Sequence, residues 1–229
     1  MERVPRIAAF KHELEASNLA PEKNPDLHKF ANRDDIIVRP LNWSWFIANS
    51  RFEPRETTKN INATRFAQIS KKHFDELSEY GIHVPVSFMV AEKQQDTPRA
   101  KADVLAIVDK VTVEQNINDR ELGTALAKLR KNLLRYYEDK FARNQSFLAD
   151  VFKEAQYVYG RVGDSDVGLY LVDVDPFIYS DKKTLLHILR EMNRIVQGER
   201  AHFALPEYDA VCEGFQSLVA KVESSSSEA

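Results

Sequence analysis

Two β-rich runs that fold back across polar connections constrain this chain more than any other feature. The first is IHVPVSFMVAE, Ile82 to Glu92, followed by the polar KQQDTPRAK and then ADVLAIVDKVTV, Ala102 to Val113. The second is QYVYGRVGDSDVGLYLVDV, whose connection holds Gly163, Asp164, Ser165 and Asp166. Apolar and β-branched residues on either side of a polar turn are the pattern of an antiparallel hairpin. A doubly wound parallel sheet needs a helical crossover between successive strands, so these hairpins exclude it. The expected class is α+β: a small, mostly antiparallel β lobe, then a mostly helical lobe with a hairpin carrying Asp173 and Asp175.

The remaining segments fill in that order. DDIIVRPLNWSWFIAN predicts two strands, Ile36 to Arg39 and Trp43 to Ala48, with Trp43, Trp45 and Phe46 partly in the core. Ile61, Phe66, Ile69, Phe74 and Leu77 recur at helical spacing before Gly81, a helix stop. ELGTALAKLRKNLLRYYEDKF predicts the clearest helix, with Leu122, Leu126, Leu129, Leu133 and Tyr137 on one face and Lys and Arg opposite. Of Tyr136 and Tyr137, one is expected buried and the other half-exposed. Ser146 to Ala155 reads as a further helical segment, and KKTLLHILREMNRIV and EYDAVCEGFQSLVAKV as two more. The domain boundaries read from this pass are an N-terminal arm or helix over 1–30, a small β-rich lobe over 31–113, a helical lobe over 114–222 and a disordered tail over 223–229.

Composition narrows the function classes. A net charge of −3 gives no pull toward nucleic acid or an anionic membrane. No apolar run approaches the roughly 20 residues that span a bilayer, and the N-terminus lacks the apolar stretch of a signal peptide. Cys212 is the only cysteine, which rules out an internal disulfide and suits a cytoplasmic setting; it reads as a small buried hydrophobe. Lys71, Lys72 and His73 read as a solvated helix face, and Tyr157, Tyr159 and Tyr170 as cross-strand packing partners.

Chemistry concentrates at LYLVDVDP, where a buried strand ends in two carboxylates, Asp173 and Asp175. The order of elements from Ala63 to Val196, together with FLADVFKEAQYVYG and LYLVDVDP, resembles the protein-kinase-like fold, the group that includes aminoglycoside-type phosphotransferases. That resemblance implies Mg²⁺ and ATP as cofactors. Asp150 matches the catalytic aspartate that orients the attacking hydroxyl. Gln156 stands near the metal-binding amide, and Asp173, with Asp175 assisting, is the metal-binding aspartate. A hinge at Asp109, Lys110 and Val111 would dock adenine through its backbone.

The chain departs from that family at several points. Leu148 and Ala149 precede Asp150 in place of histidine and arginine, DVD replaces Asp-Phe-Gly, and no glycine precedes Gly81 to form a phosphate-covering loop. No strand lysine has the Val-Ala-Ile-Lys setting, and the nearest cations are Arg39 and Lys59. The resulting expectation is a pseudokinase-like frame, degenerate in catalysis, acting as a nucleotide-responsive or protein-interaction module. If active, it transfers a phosphoryl group from MgATP. Two alternatives stand beside it: a protein-binding α+β module with no nucleotide site, and a metal-dependent glycosyltransferase using the Asp-x-Asp tripeptide. The last sits poorly with hairpins, because such enzymes place the motif after a parallel nucleotide-binding half.

Overall fold

The structure, a computed structural model, describes residues 35–50, 61–93, 102–173 and 175–226. The expected N-terminal arm, Lys59 and the connection between the strands of the first hairpin lie outside these. Three small sheets and five α-helices make up the described chain, an α+β arrangement.

The first sheet contains β1 (Ile36–Leu41), β2 (Val86–Lys93) and β3 (Ala102–Asp109) in the order β1-β3-β2, antiparallel throughout. The predicted hairpin of Val86–Lys93 with Ala102–Asp109 is present. Between β1 and β2 the chain forms α1 (Trp43–Asn49) and α2 (Ala63–Glu79). The helix α1 replaces the strand expected over Trp43 to Ala48. The Asn42 side chain accepts from the Trp45 N–H and caps it, and one helical turn then buries Phe46 and Ile47 while Trp45 stays 49% exposed. Aromatic β-propensity yields here to the cap and to a helical core face.

Helix α2 follows its apolar period. Asn62 caps the start by accepting from the Arg65 N–H, and Phe66, Phe74 and Leu77 are buried. Gly81, at φ 77°, ends it: the Ile82 N–H returns to the Leu77 carbonyl and the Gly81 N–H to that of Ser78. His73, expected on a solvated face, is instead buried, since it falls one turn from Ser70 and Leu77 and two turns from Phe66.

After β3 come β4 (Val111–Val113) and the long α3 (Asp119–Ala142), opened by a capping box of Asn118 and Glu121. Tyr136, Tyr137 and Arg130 are fully buried and Lys140 nearly so, which corrects the expected polar face. The predicted helix over Ser146 to Ala155 is absent. In its place are β5 (Phe147–Leu148), an irregular segment and a 3₁₀ turn at Glu154–Gln156. Phe147 and Leu148 are both buried although adjacent, so both faces of this short strand are covered.

The second hairpin forms as read, with β6 (Tyr157–Val162) and β7 (Gly168–Leu171) antiparallel and β4 added on the other edge of β6. Gly160 faces Val113 across that edge, and a Cβ there would lie 2.2 Å from the Thr112 carbonyl oxygen. Gly160→Ala is therefore expected to cost about 1–3 kcal/mol by forcing β4 away; a lowered urea midpoint at unchanged slope checks it.

The strand β8 (Ile178–Tyr179) pairs with β5. Helices α4 (Lys182–Phe203) and α5 (Glu207–Ser226) close the chain against α3. Helix α5 runs past the expected end at Val222. Lys182 donates to the Ser225 carbonyl and Arg190 pairs with Glu223, so α4 holds the last turn. One apolar core runs from Leu41 and Phe66 through Leu133, Leu171 and Met192 to Val222.

Candidate functional site: a carboxylate pair held by Arg39

Two carboxylates end the second hairpin because a cation from the first sheet meets them. Arg39, on β1, reaches Asp173 Oδ1 with Nη1 at 2.8 Å and Asp175 Oδ1 with Nη2 at 2.7 Å. The three side chains are 21%, 39% and 23% exposed, so the contact is partly open to solvent. A planar guanidinium offers two donors in a fork, and here each meets one of the two carboxylates. The contact ties β1 to a residue 134 positions later.

Asp173 is positioned through Gln156. The Gln156 carbonyl accepts from the N–H groups of Val172 at 2.9 Å and Asp173 at 3.3 Å. Its side chain is buried, donating to the Asp150 carbonyl at 2.9 Å and accepting from the Lys153 N–H at 2.9 Å. The structure thus brings Asp150, Gln156 and Asp173 into one bonded cluster. Gln156 serves it as a brace, with its amide oxygen turned to a backbone N–H. The Asp150 carboxylate reaches outward to Lys153 Nζ at 2.9 Å.

The loop between β5 and β6 carries Asp150 and Gln156, and buried side chains hold it carbonyl by carbonyl. Tyr137 donates to Leu148 O at 3.0 Å, Gln156 to Asp150 O, Tyr157 to Val151 O at 2.7 Å and Arg130 Nη1 to Phe152 O at 2.6 Å. Tyr136 in turn accepts from the Leu148 N–H at 2.8 Å. An irregular loop inside a core leaves polar backbone groups that water cannot reach, and each such group needs a partner. Arg130 is anchored by Glu199 on α4, with Nη2 at 2.6 Å and Nε at 3.1 Å from the carboxylate. Burial raises the hydroxyl pKa of Tyr136, Tyr137 and Tyr157 above the ordinary value, so all three remain protonated, Tyr137 and Tyr157 as donors and Tyr136 as an acceptor.

The proposed hinge is less open. The Asp109 N–H donates to Pro85 O at 2.7 Å and the Lys110 N–H to Asp35 O at 2.8 Å, while Val111 pairs with Val162 in the sheet. A cavity of about 510 Å³ opens beside the loop, lined by Leu122, Leu126, Glu154, Ala155, Tyr157 and Tyr159, among others.

Among the described residues, no three or more His, Cys, Asp or Glu side chains gather around a metal position. Asp173 and Asp175 nonetheless suit Mg²⁺ chemically. That ion is commonly held by one or two carboxylates completed by substrate phosphates and water. Among the described residues no helix is long and apolar enough to cross a membrane.

Sequence reasoning set Arg39 aside because it lacked the lysine motif. Its signal was a lone charge inside the apolar strand IIVRPL, 134 residues from its partner. Arg130 carried a stronger signal: it falls four residues after Leu126 and three before Leu133, on the apolar face itself. Comparison with protein-family models, with curated proteins and with solved structures finds no match to this chain.

Proposed function

We propose that the chain is a two-lobed, kinase-like, nucleotide-responsive module in which Arg39 holds the Asp173–Asp175 pair until the phosphates of MgATP replace that contact. The fork of Arg39 across both carboxylates carries this reading. It sets a permanent cation from the β-rich part against the two oxygen ligands best suited to Mg²⁺. Three further features support it: a helix lying between β1 and β2 in a β1-β3-β2 sheet, a hairpin ending in Asp173, and the β5–β8 pair flanking the loop of Asp150.

The bound metal would neutralise phosphate charge between the carboxylates. Arg39 would then exchange two carboxylate partners for phosphate oxygens, an equally suitable acceptor for its fork. Asp150, free to move on the exposed Lys153, would orient an acceptor hydroxyl if transfer occurs. The engaged N–H groups of Asp109 and Lys110 favour a module that reads the phosphate end more than the adenine. Those same engaged groups are what favour the second reading, a protein-binding module without nucleotide.

Calorimetric titration with ATP in the presence and absence of Mg²⁺ separates the two. The nucleotide-responsive module predicts Mg²⁺-dependent binding that Asp173→Asn removes and that ATP alone does not reproduce. Heat that is absent in the wild type supports the protein-binding module instead, and equal heat in both proteins places the nucleotide away from Asp173 and overturns the carboxylate site.

A further inference from the structure

A second concave site lies elsewhere on the chain, a groove of about 410 Å³ between α3, the turn after α2 and the hairpin of β6 and β7. Its wall on α3 is one ridge of the helix, Arg120, Thr124, Lys128 and Asn132, each four residues from the next. His83 and Leu169 line the facing side. None of the carboxylates around Arg39 lines it.

The groove holds two cations, Arg120 and Lys128. Among the described residues, neither Arg120 nor Lys128 has an acidic side chain within ion-pair distance. The one acid in the lining, Glu121, turns back to accept from the Asn118 N–H in the capping box. Other described cations, such as Lys131 and Lys183, also lack an acidic partner among the described residues, but Arg120 and Lys128 are the two that line this groove. Burial, with the Lys128 charge adding to it, pushes the His83 imidazole below its ordinary pKa, so near neutral pH it is a hydrogen-bonding group rather than a third cation. Asn132, itself buried, uses its amide NH₂ on the Gly81 carbonyl at 3.0 Å, and its amide oxygen accepts from no described residue. Thr124 donates its hydroxyl proton to the Arg120 carbonyl, which leaves the hydroxyl oxygen as an acceptor.

We propose that this groove binds a phosphate monoester of a small, hydroxyl-bearing organic molecule. Arg120 and Lys128 would take the phosphate by charge-assisted hydrogen bonds. The amide oxygen of Asn132 and the Thr124 hydroxyl would accept from the ligand's hydroxyls, and the body would lie on Leu169. The volume is within the range of small-molecule sites. A nucleoside monophosphate and a sugar phosphate share this chemistry, and the assay distinguishes them. The site stands independently of any binding of MgATP at Asp173.

The test is magnesium-free calorimetric titration of the full chain with AMP, glucose 6-phosphate, inorganic phosphate, and adenosine and glucose as uncharged controls. The variants are Arg120→Gln/Lys128→Gln, which alters two exposed side chains, and Asp173→Asn. At least one phosphate ester should bind with a Kd of about 1 mM or tighter, about tenfold or more tighter than its uncharged counterpart. The double variant should lose about tenfold or more, and Asp173→Asn should change nothing. Which ester binds more tightly identifies the source. No ester binding at about 10 mM, equal binding of esters and uncharged controls, full binding in the double variant, or loss in Asp173→Asn each overturns the proposal.

Discussion

Glu199→Ala is expected to destabilise the protein by about 3–5 kcal/mol, the cost of leaving one partner of a buried ion pair uncompensated. Arg130 has no exposed surface and is the largest fully buried side chain in the described chain, while Glu199 is 8% exposed. The pair does more than join α3 to α4, because the same guanidinium donates to Phe152 O inside the loop of Asp150. Without Glu199, Arg130 must either stay buried and charged or draw water inward, and both disturb the loop. For a chain of this size the loss corresponds to a drop in Tm of roughly 10 °C. Replacing both partners, as Arg130→Met with Glu199→Leu, removes the unpaired charge and should recover most of the loss. Urea unfolding of the three proteins measures this. A single variant within about 1 kcal/mol of wild type contradicts the assignment, because it means that the charge was never isolated from water.

Glu76→Gln is the second large effect, and pH sets its signature. Lys140 is 4% exposed, with Nζ 2.6 Å from Glu76 Oε2, and His73 Nδ1 lies 3.4 Å from the same oxygen. Burial works to raise the Glu76 carboxyl, but the His73 imidazole beside it and the hydrogen bond and charge of Lys140 outweigh it and hold the pKa at about 2 against an ordinary 4.5. A carboxyl depressed in the folded state stabilises that state above its unfolded pKa and ceases to do so as pH falls through the folded value. The contribution is therefore complete above pH 4.5 and disappears as pH falls toward about 2. Near neutral pH the substitution should cost about 2–3 kcal/mol, less than at Glu199 because Glu76 is partly exposed. Melting followed from pH 6 to pH 2 should show a shallower decline in Glu76→Gln than in wild type. Parallel declines contradict the ion-pair account.

The hairpins, the long helices and most helix ends were legible because short-range rules set them. A Gly at positive φ, an Asn cap or an apolar residue every third or fourth place acts within a few residues. The misread segments are those that distant contacts decide. Trp43 to Ala48 carries the composition of a strand, and the Asn42 cap together with burial of Phe46 and Ile47 makes it a helix. Ser146 to Ala155 has apolar residues enough for a helix, but donors from Arg130, Tyr137 and Tyr157 offer its carbonyls partners that a helix would have supplied internally. In the candidate site, the residue types at Asp150, Gln156 and Asp173 could be read from the chain. Their arrangement could not, since Gln156 acts mainly through its carbonyl and Arg39 comes from the far end of the sequence.

Thermal unfolding with and without MgATP, on wild type and Asp173→Asn, bears most directly on the carboxylate pair as a nucleotide site. Ligand at about a hundred times its Kd stabilises the native state by about 2.7 kcal/mol, a rise of several degrees for a chain of this size. The kinase-like reading predicts that rise in wild type only with Mg²⁺ present, and its loss in Asp173→Asn. No rise up to millimolar MgATP, or an equal rise in the variant, contradicts it.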